Sequence, residues 1–445
     1  MIFLHRVLLT FVVLLLTACA SVFDAPYEEI AADASDAALE TPLLVEEEPG
    51  DLNDLLQAPQ ADSTQYRDLW ERIRQGFAVS DLDKDAQVNR AAKRFVADKF
   101  LDRTAQRASG LLYYVVQEVD QRHLPMELVL VPFVESGYTL EAKSQAEAHG
   151  AWQFIENTAK TYELNIDRFR DERRSLVSST RAALDYLDKL HGMFNSWPLA
   201  MAAYNCGEKR IQAEIDKARA RRVKNPGFND LAPYLPPETR DYVPRILALK
   251  KLIADPGAFR ISLPPIDNAP RHSVVEIHRD VDVSLVARLA GLSMAEFQAI
   301  NPSLQAPIII GSSHTRLLLP HSAALRLSLN MGTYSGQWVS WRMVRITRAT
   351  TPGEVARRNG LPLRLVAQAN PLPEGHYYAV GSTLLLPLVR GKEAPEEIDA
   401  LTANRAVLVT RSTEPCNVPH GCQSTAGEPR SALAKVPAAA NKASN

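Results

Sequence analysis

One carboxyl side chain stands out because of the residues around it. Glu135 ends an apolar run that begins at Leu128, shortly after Pro125, a residue suited to the first turn of a helix. Beside Phe133 and Val134, a carboxyl at the end of such a helix is partly desolvated, which raises its pKa and favours the protonated form near neutral pH. A protonated carboxyl can act as a general acid. Taken alone, the pattern also fits a solvated or capping acid.

Several motifs with polar and aromatic residues follow this carboxyl along the chain. Their motifs, in chain order, are Glu135-Ser136, Ser144, Gly150-Ala-Trp-Gln153-Phe154, Ala203-Tyr204-Asn205-Cys206-Gly207 and Leu235-Pro-Pro-Glu-Thr-Arg-Asp-Tyr242-Val-Pro244. An amide such as Gln153 can hydrogen-bond a sugar, and a ring such as Phe154 can pack on one. For either residue alone, packing in a core is the more usual role.

These motifs, in this order, resemble the soluble-type lytic transglycosylase family over most of residues 120 to 250. The resemblance implies a mainly α, goose-type lysozyme-like catalytic domain that acts on peptidoglycan. It also implies a single acid. Glu135 protonates the glycosidic oxygen after N-acetylmuramic acid and then, as a carboxylate, takes the proton of that sugar's 6-hydroxyl, which leaves a 1,6-anhydro end.

The same resemblance implies roles for the other motif residues. Ser144 contacts the acetamido group, Gln153 and Phe154 belong to the substrate groove, and Ser136 caps the end of the helix. The remaining expected site residues are Tyr204 close to the acid, Asn205 bracing its loop, and Tyr242 lining the same cleft. Leu140, Ala151 and Cys206 depart from the usual family residues, and Leu140 and Ala151 put the shape of the sugar subsites in doubt.

Two alternatives to this activity stay open in the sequence. A hydrolytic muramidase needs a second carboxylate at a set separation from the first, and Glu141, Glu147 and Glu156 are the nearby candidates. A non-catalytic peptidoglycan-binding lipoprotein is the other. It predicts loss of Glu135, Gln153 or Tyr204, and all three are present.

The elements that must position these residues are helical. Apolar residues recur at helical spacing through 66–255, the predicted catalytic domain. After the Pro-rich junction 263–270 the pattern changes to short β-branched runs, which marks a boundary.

The second half of the chain contains an internal repeat. The segment from Val286 to Asn301-Pro302 aligns with the segment from Val355 to Asn370-Pro371, and each copy predicts a βααβ order. Small α+β repeats of this kind, over 265–322 and 338–390, resemble LysM modules, which bind N-acetylglucosamine-containing glycans. Both copies lack the usual Gly-Asp opening, so a role as structural spacers remains an alternative.

The start of the chain predicts export and attachment to a membrane. His5 and Arg6 precede an apolar run that is too short to span a bilayer, and residues 1–18 are interpreted as a signal peptide. Leu16 to Cys19 resembles the bacterial lipobox, so we expect Cys19 to carry lipid. Ala20 after it favours the outer membrane, facing the periplasm. Residues 19–65 have no Lys or Arg and twelve acids, which is typical of a flexible tether.

Composition narrows the remaining functions. A net charge of −2 offers no basic surface for nucleic acid. The four cysteines show no metal-ligand spacing, so we expect no metal and no cofactor. Cys416 and Cys422 either pair or stay as free thiols in a tail, 391–445, that is predicted to be disordered. The protein partner, if there is one, is not indicated.

Overall fold

The structure, a computed structural model, describes residues 66–79, 85–373 and 375–388, and the backbone of 410–412. The predicted signal peptide, the tether and Cys19 lie outside the described residues, as do Cys416 and Cys422. All the described residues belong to one compact unit.

The first part of this unit is helical, as the apolar spacing predicts. Its helices are α1 (Leu69–Gln75), α2 (Ala86–Ala97), α3 (Phe100–Ala108), α4 (Leu112–Gln121), α5 (Val131–Glu135), α6 (Glu156–Thr161), α7 (Leu176–Phe194), α8 (Trp197–Cys206), α9 (Glu208–Ala220), α10 (Phe228–Leu231) and α11 (Pro237–Ala254). Short 3₁₀ helices lie at Met126–Leu130, Glu172–Arg174, Ala232–Tyr234 and Gly257–Phe259. The helical fold class is therefore confirmed for this region.

Helix α8 lies at the centre of the helical region, against α7, α9 and α11. Its buried positions run from Leu199 to Ala203 and are mostly small, which lets the neighbouring helices approach closely. The helix ends in the Tyr204-Asn205 pair of the sequence motif. The buried middle of α8 thus fixes the position of the two polar residues at its end.

The second part contains the two sequence repeats. The first repeat has β1 (His272–Ile277), β2 (Val281–Asp282), α12 (Val283–Ala290), α13 (Met294–Ile300), β3 (Ile308–Ile309) and β4 (Thr315–Pro320). After α14 (His321–Thr333), the second has β5 (Trp341–Arg345), α15 (Pro352–Asn359), α16 (Leu363–Ala369), β6 (His376–Tyr378) and β7 (Thr383–Pro387). Strand β1 pairs antiparallel with β4, and β5 with β7. In each copy two helices lie between a pair of antiparallel strands, as the predicted βααβ order requires, and the short strands β2, β3 and β6 are additional. The identity of the copies as LysM modules stays a prediction.

The Asn-Pro corner has the same structural role in both repeats. Asn301 is buried, and its side-chain amide bonds both backbone groups of Leu318, with each distance at 2.9 Å. Asn370 does the same with Leu385, at 2.7 Å for each bond. A side-chain amide carries one acceptor and two donors, so it can pair with a strand residue as another backbone would. The corner therefore recurs because it ties the second helix to the closing strand.

Two elements differ from the sequence predictions. Helix α14 begins at His321, beside the expected repeat boundary, and its Ala323 and Leu327 pack in the core of the first repeat. Strand β8 (Thr410–Ser412) pairs with β6 inside the tail that was predicted to be disordered. The β-branched run that ends at Thr410 favours a strand, and this signal is too short to detect among the Ala- and Pro-rich residues around it.

A loop of the helical region joins it to both repeats. We call residues 165–171 the clasp loop. Phe169 packs with Ile308 of the first repeat and Leu385 of the second. Arg168 donates to Asn370 Oδ1 at 3.0 Å, and Arg170 donates to the Ser313 carbonyl at 2.7 Å. The repeats are therefore docked against the helical region.

The Pro-rich junction also lies against the helical region. Leu69 N donates to the Ile266 carbonyl at 2.9 Å, and Trp70 Nε1 donates to the Pro264 carbonyl at 2.8 Å.

Among the described residues, no single helix is long and apolar enough to cross a membrane, and only the bent pair α12 and α13 passes that test together by length and composition.

Candidate active site

Glu135 is the last residue of α5, a short helix whose other four residues are buried. The next residue holds the helix end in place, because Ser136 Oγ donates to the Ala151 carbonyl at 2.9 Å and accepts from Thr139 N at 3.2 Å. Ser136 therefore ties the helix end to the loop of the Gly150 motif, and at the C-cap position it also donates to the Pro132 carbonyl at 3.3 Å. Glu135 itself is half-buried.

Among the described residues, the carboxyl of Glu135 accepts a hydrogen bond from one side chain. Tyr242 on α11 is buried, and its hydroxyl donates to Glu135 Oε1 at 2.5 Å. The pKa of Glu135 is raised to about 7, mainly by burial and to a smaller degree by the charge of Glu238, against the opposing effects of the Tyr242 bond and of Arg245. A carboxyl with this pKa is divided between its acid and base forms near neutrality, which suits a group that must first donate and then accept a proton.

The Gly150 motif forms a tight loop beside this carboxyl. Gly150 has a φ of +82°, and a Cβ atom there would lie 1.8 Å from the Arg173 carbonyl oxygen, so only glycine fits. Trp152 is buried and anchors the loop, since its Nε1 donates to Thr180 Oγ1 at 2.9 Å. The glycine and the tryptophan of the motif thus have structural roles.

Gln153 stands at a strained position in that loop. Its φ of +52° is uncommon for a residue with a side chain. Its Nε2 donates to the Gly150 carbonyl at 2.8 Å and to the Ala142 carbonyl at 3.3 Å. The amide donors are used to hold the loop, and a sugar contact by Gln153 stays a prediction.

Tyr204 lies near the acid but does not bond it. Its hydroxyl donates to the Trp152 carbonyl at 2.8 Å, and burial, followed by the charge of Glu135, raises the pKa of Tyr204 well above its ordinary value. Asn205 Oδ1 accepts from Thr239 Oγ1 at 2.7 Å, which links the end of α8 to α11. This contact fits the bracing role expected for Asn205. Tyr242, which was expected to line the cleft, is thus the tyrosine whose hydroxyl bonds Glu135 directly.

Phe154 and Ser144 are held by the protein in ways that do not involve the acid. Phe154 is 2% exposed, and its ring packs edge-on against Tyr204 with the ring centroids 6.2 Å apart. Its ring has a core position, so a sugar contact for Phe154 stays a prediction that the burial does not favour. Ser144 is half-buried and accepts from Ala148 N at 3.1 Å, which closes the turn that leads into the Gly150 motif.

The three candidates for a second carboxylate are exposed. Glu147 pairs with Lys143 at 2.9 Å and Glu156 pairs with Lys160, and these hydrogen bonds lower the pKa of both carboxyls. A carboxylate with a lowered pKa stays ionised and solvated at neutral pH. Neither pair provides the desolvated partner that a hydrolase would place opposite Glu135.

Sequence reasoning missed two charged residues that act on the acid. Glu238 and Arg245 share α11 with Tyr242, and both influence the pKa of Glu135. Their spacing of four and then three residues places all three side chains on one face of the helix. That spacing is the signal that could have identified them once Tyr242 was suspected.

The residues that depart from the usual family pattern pack next to this site. Leu140 is 6% exposed and Ala151 is 1% exposed, so both belong to the core under the loops that carry Ser144 and Gln153. Cys206 is a half-buried free thiol, and burial raises its pKa. Their influence is on packing and not on the acid itself.

Comparison with known proteins finds a matching family, similar proteins and similar solved structures. The family described as "Transglycosylase SLT domain" matches residues 114–225. Membrane-bound lytic murein transglycosylase D of Escherichia coli (strain K12) is 31% identical over 318 residues, which cover 68% of this chain and 70% of that protein. A putative tributyltin chloride resistance protein of Alteromonas sp. (strain M-1) is 40% identical over 114 residues, which cover 25% of this chain and 55% of that protein. Among solved structures, the 70 kDa soluble lytic transglycosylase of Escherichia coli aligns with 40% of this chain and 30% of its own, at 19% identity and a TM-score of 0.29.

Proposed function

Because this chain belongs to the family of membrane-bound lytic murein transglycosylase D and is a peptidoglycan lytic transglycosylase, we propose that Glu135 is its catalytic acid and base. The substrate bond is the β-1,4 bond between N-acetylmuramic acid and N-acetylglucosamine. The observation that carries the proposal is the burial of Glu135, which raises its pKa to about 7.

The proposed reaction uses one carboxyl group twice. Protonated Glu135 gives its proton to the glycosidic oxygen as the bond from the muramic acid C1 to that oxygen breaks. The 6-hydroxyl oxygen of the same sugar bonds to C1, and its proton passes to the Glu135 carboxylate. The carboxyl is thereby restored, no water is consumed, and the attacking hydroxyl has the high effective concentration of an intramolecular nucleophile.

Tyr242 is proposed to position this carboxyl. Its hydroxyl bond fixes Glu135 Oε1 and leaves the other carboxyl oxygen to face the substrate. Asn205, held by Thr239, keeps α8 and α11 together across the site. Gln153 and Ser144 are proposed to contact the sugar from the loops beside the acid.

The product distinguishes this reaction from hydrolysis. We expect the wild-type protein to release muropeptides from purified sacculi that are lighter by one water than hydrolysis products and that lack a reducing end. Mass spectrometry before and after borohydride reduction measures both properties. Reducing ends in the products would instead identify a muramidase, and no release at all would favour a non-catalytic wall-binding protein.

The family relationship suggests a location in the cell envelope, and we propose that a lipid on Cys19 attaches the chain to the outer membrane. Cys19→Ala is expected to move the protein from the membrane fraction to the soluble fraction, because two or three acyl chains hold a protein stably and none would remain. Immunoblots of fractionated cells measure this change. Unchanged fractionation of Cys19→Ala would refute the anchor.

The proposed domain organisation follows the same lines. Residues 1–18 form a signal peptide, 19–65 a tether and 66–255 the catalytic domain, followed by LysM-like repeats at 265–322 and 338–390 and the tail at 391–445. We infer that the repeats add contacts to peptidoglycan, and their docking through the clasp loop keeps them at a fixed place beside the catalytic domain. The proposed cell-wall role is turnover of glycan strands.

A further inference from the structure

Three side chains with metal-binding atoms meet on the first repeat, away from Glu135. Glu276 lies in β1, His278 directly follows β1, and His314 directly precedes β4. One ligand atom from each residue lies within 4.8 Å of the others, and all three side chains are exposed. His314 Nδ1 is 3.0 Å from Glu276 Oε1, and His278 Nδ1 is 3.9 Å from the same oxygen.

The pairing of the strands brings these residues together. Ile277 of β1 is opposite Thr315 of β4, so continuing the antiparallel register by one residue places His278 opposite His314. Glu276 lies two residues before His278 and therefore on the same face of the strand. The two imidazole rings face each other edge to face, with their centroids 5.6 Å apart.

The backbone at His314 directs its ring toward this face. His314 ends the 3₁₀ helix Gly311–Ser313 with a φ of +47°, in the left-handed region where glycine or asparagine is usual. A residue with a side chain held in that region marks a position worth testing for function. In this conformation the His314 ring lies beside Glu276, with Nδ1 at 3.0 Å from Oε1.

We propose that Glu276, His278 and His314 form a binding site for a divalent transition cation of the zinc class. Two imidazole nitrogens and one carboxylate oxygen are a set of ligands that suits Zn²⁺, which binds such atoms at about 2.0–2.2 Å. In a tetrahedral site, ligand atoms at those bond lengths are about 3.3 Å apart. The observed separations of 3.0 and 3.9 Å bracket that value, so small side-chain rotations complete the site.

The surroundings leave room for a further ligand. Glu276 and His314 line an open cleft that they share with Glu163 and Glu172 of the catalytic domain, which adds negative charge on the opposite wall. Arg316, opposite Glu276 in the sheet, and Arg181 of the catalytic domain also line the cleft and oppose cation binding. Arg181 is paired with Asp185 at 3.4 Å, and Arg170 is paired with Glu172 at 3.6 Å. Three protein ligands and an open fourth position leave the cation accessible to water or to an anionic group from this cleft.

The proposal is tested by titrating the metal-free full chain with Zn²⁺ alone in a calorimeter. Glu276→Gln, His278→Gln and His314→Asn each remove one ligand, and asparagine keeps the left-handed backbone at position 314. His123→Asn is the matched control, since His123 is also exposed and also has a positive φ, at 53°, but lies in the catalytic domain. Loss of an outer-shell partner costs about ten- to a hundredfold in metal affinity, so loss of a ligand is expected to cost at least that much.

A second measurement locates the cation. We expect the ring nitrogen signals of His278 and His314 to shift on addition of one equivalent of Zn²⁺, while those of His123 stay unchanged. Cys416, His420 and Cys422 of the tail are present in all variants, so any cation that they bind cancels in the comparison. Equal titrations of the wild type and the three cluster variants would overturn the proposal, as would unshifted ring signals of His278 and His314.

Discussion

Glu135→Gln is expected to abolish turnover of peptidoglycan while leaving the fold intact. The amide keeps the shape of the side chain and can still meet the Tyr242 hydroxyl, but it can neither give nor take a proton at neutral pH. General acid–base catalysis contributes about a hundred- to ten-thousandfold, and here one group supplies both the acid and the base steps. Release of soluble muropeptides from sacculi measures the loss, with circular dichroism as the check on folding.

Two further variants make this result specific. Glu141→Gln is the matched control, because Glu141 lies six residues after Glu135 in the chain and its side chain is exposed. The activity of the Glu141→Gln variant is expected to stay at the wild-type level. Glu238→Gln tests the hydrolytic alternative, since Glu238 acts electrostatically on Glu135. If the protein were a hydrolase that used Glu238 as its second carboxylate, the Glu238→Gln variant would lose activity as completely as the Glu135→Gln variant. Retained turnover in Glu135→Gln would remove Glu135 from the proposed role altogether.

The site could be predicted from the sequence where one local pattern determined the environment. The apolar run before Glu135 predicts a desolvated carboxyl, and burial is indeed the main cause of its raised pKa. The internal repeat around Asn301 and Asn370 likewise predicts the strand and helix order, because the two amides make the same bonds to the closing strands. In both cases the information lies within a few residues of the feature.

The remainder depends on contacts between residues far apart in the chain. The direct bond from Tyr242 to Glu135 joins residues 107 positions apart, and only the packing of α5 against α11 creates it. The clasp loop shows no motif, yet Arg168 reaches Asn370 across 202 positions. His278 and His314 meet only through the register of β1 and β4, so a search for short metal-ligand spacings does not find them.

The raised pKa of Glu135 means that its ionised form destabilises the folded protein. Glu135→Gln is therefore expected to be more stable than the wild type at alkaline pH. The folded pKa of about 7 lies above the ordinary value of 4.5. Between these two values the unfolded chain loses its proton while the folded protein keeps it, so the folded state binds more protons and wild-type stability falls as pH rises. The fall begins near pH 4.5 and is complete above about pH 7.

Relative to the wild type, Glu135→Gln should therefore gain on the order of 1–3 kcal/mol in the free energy of unfolding between pH 5 and pH 8, since one pKa unit corresponds to about 1.4 kcal/mol and the half-buried side chain reduces the full effect. Urea unfolding followed by tryptophan fluorescence at both pH values measures the difference. Tyr242→Phe removes a hydrogen bond that lowers the pKa of Glu135, so the folded pKa rises further. The free energy of unfolding of Tyr242→Phe should therefore fall more than that of the wild type between pH 5 and pH 8. Glu141→Gln should follow the wild-type curve. If wild type and Glu135→Gln instead show parallel curves, the carboxyl is solvated in the folded protein, and its proposed activation by burial fails with it.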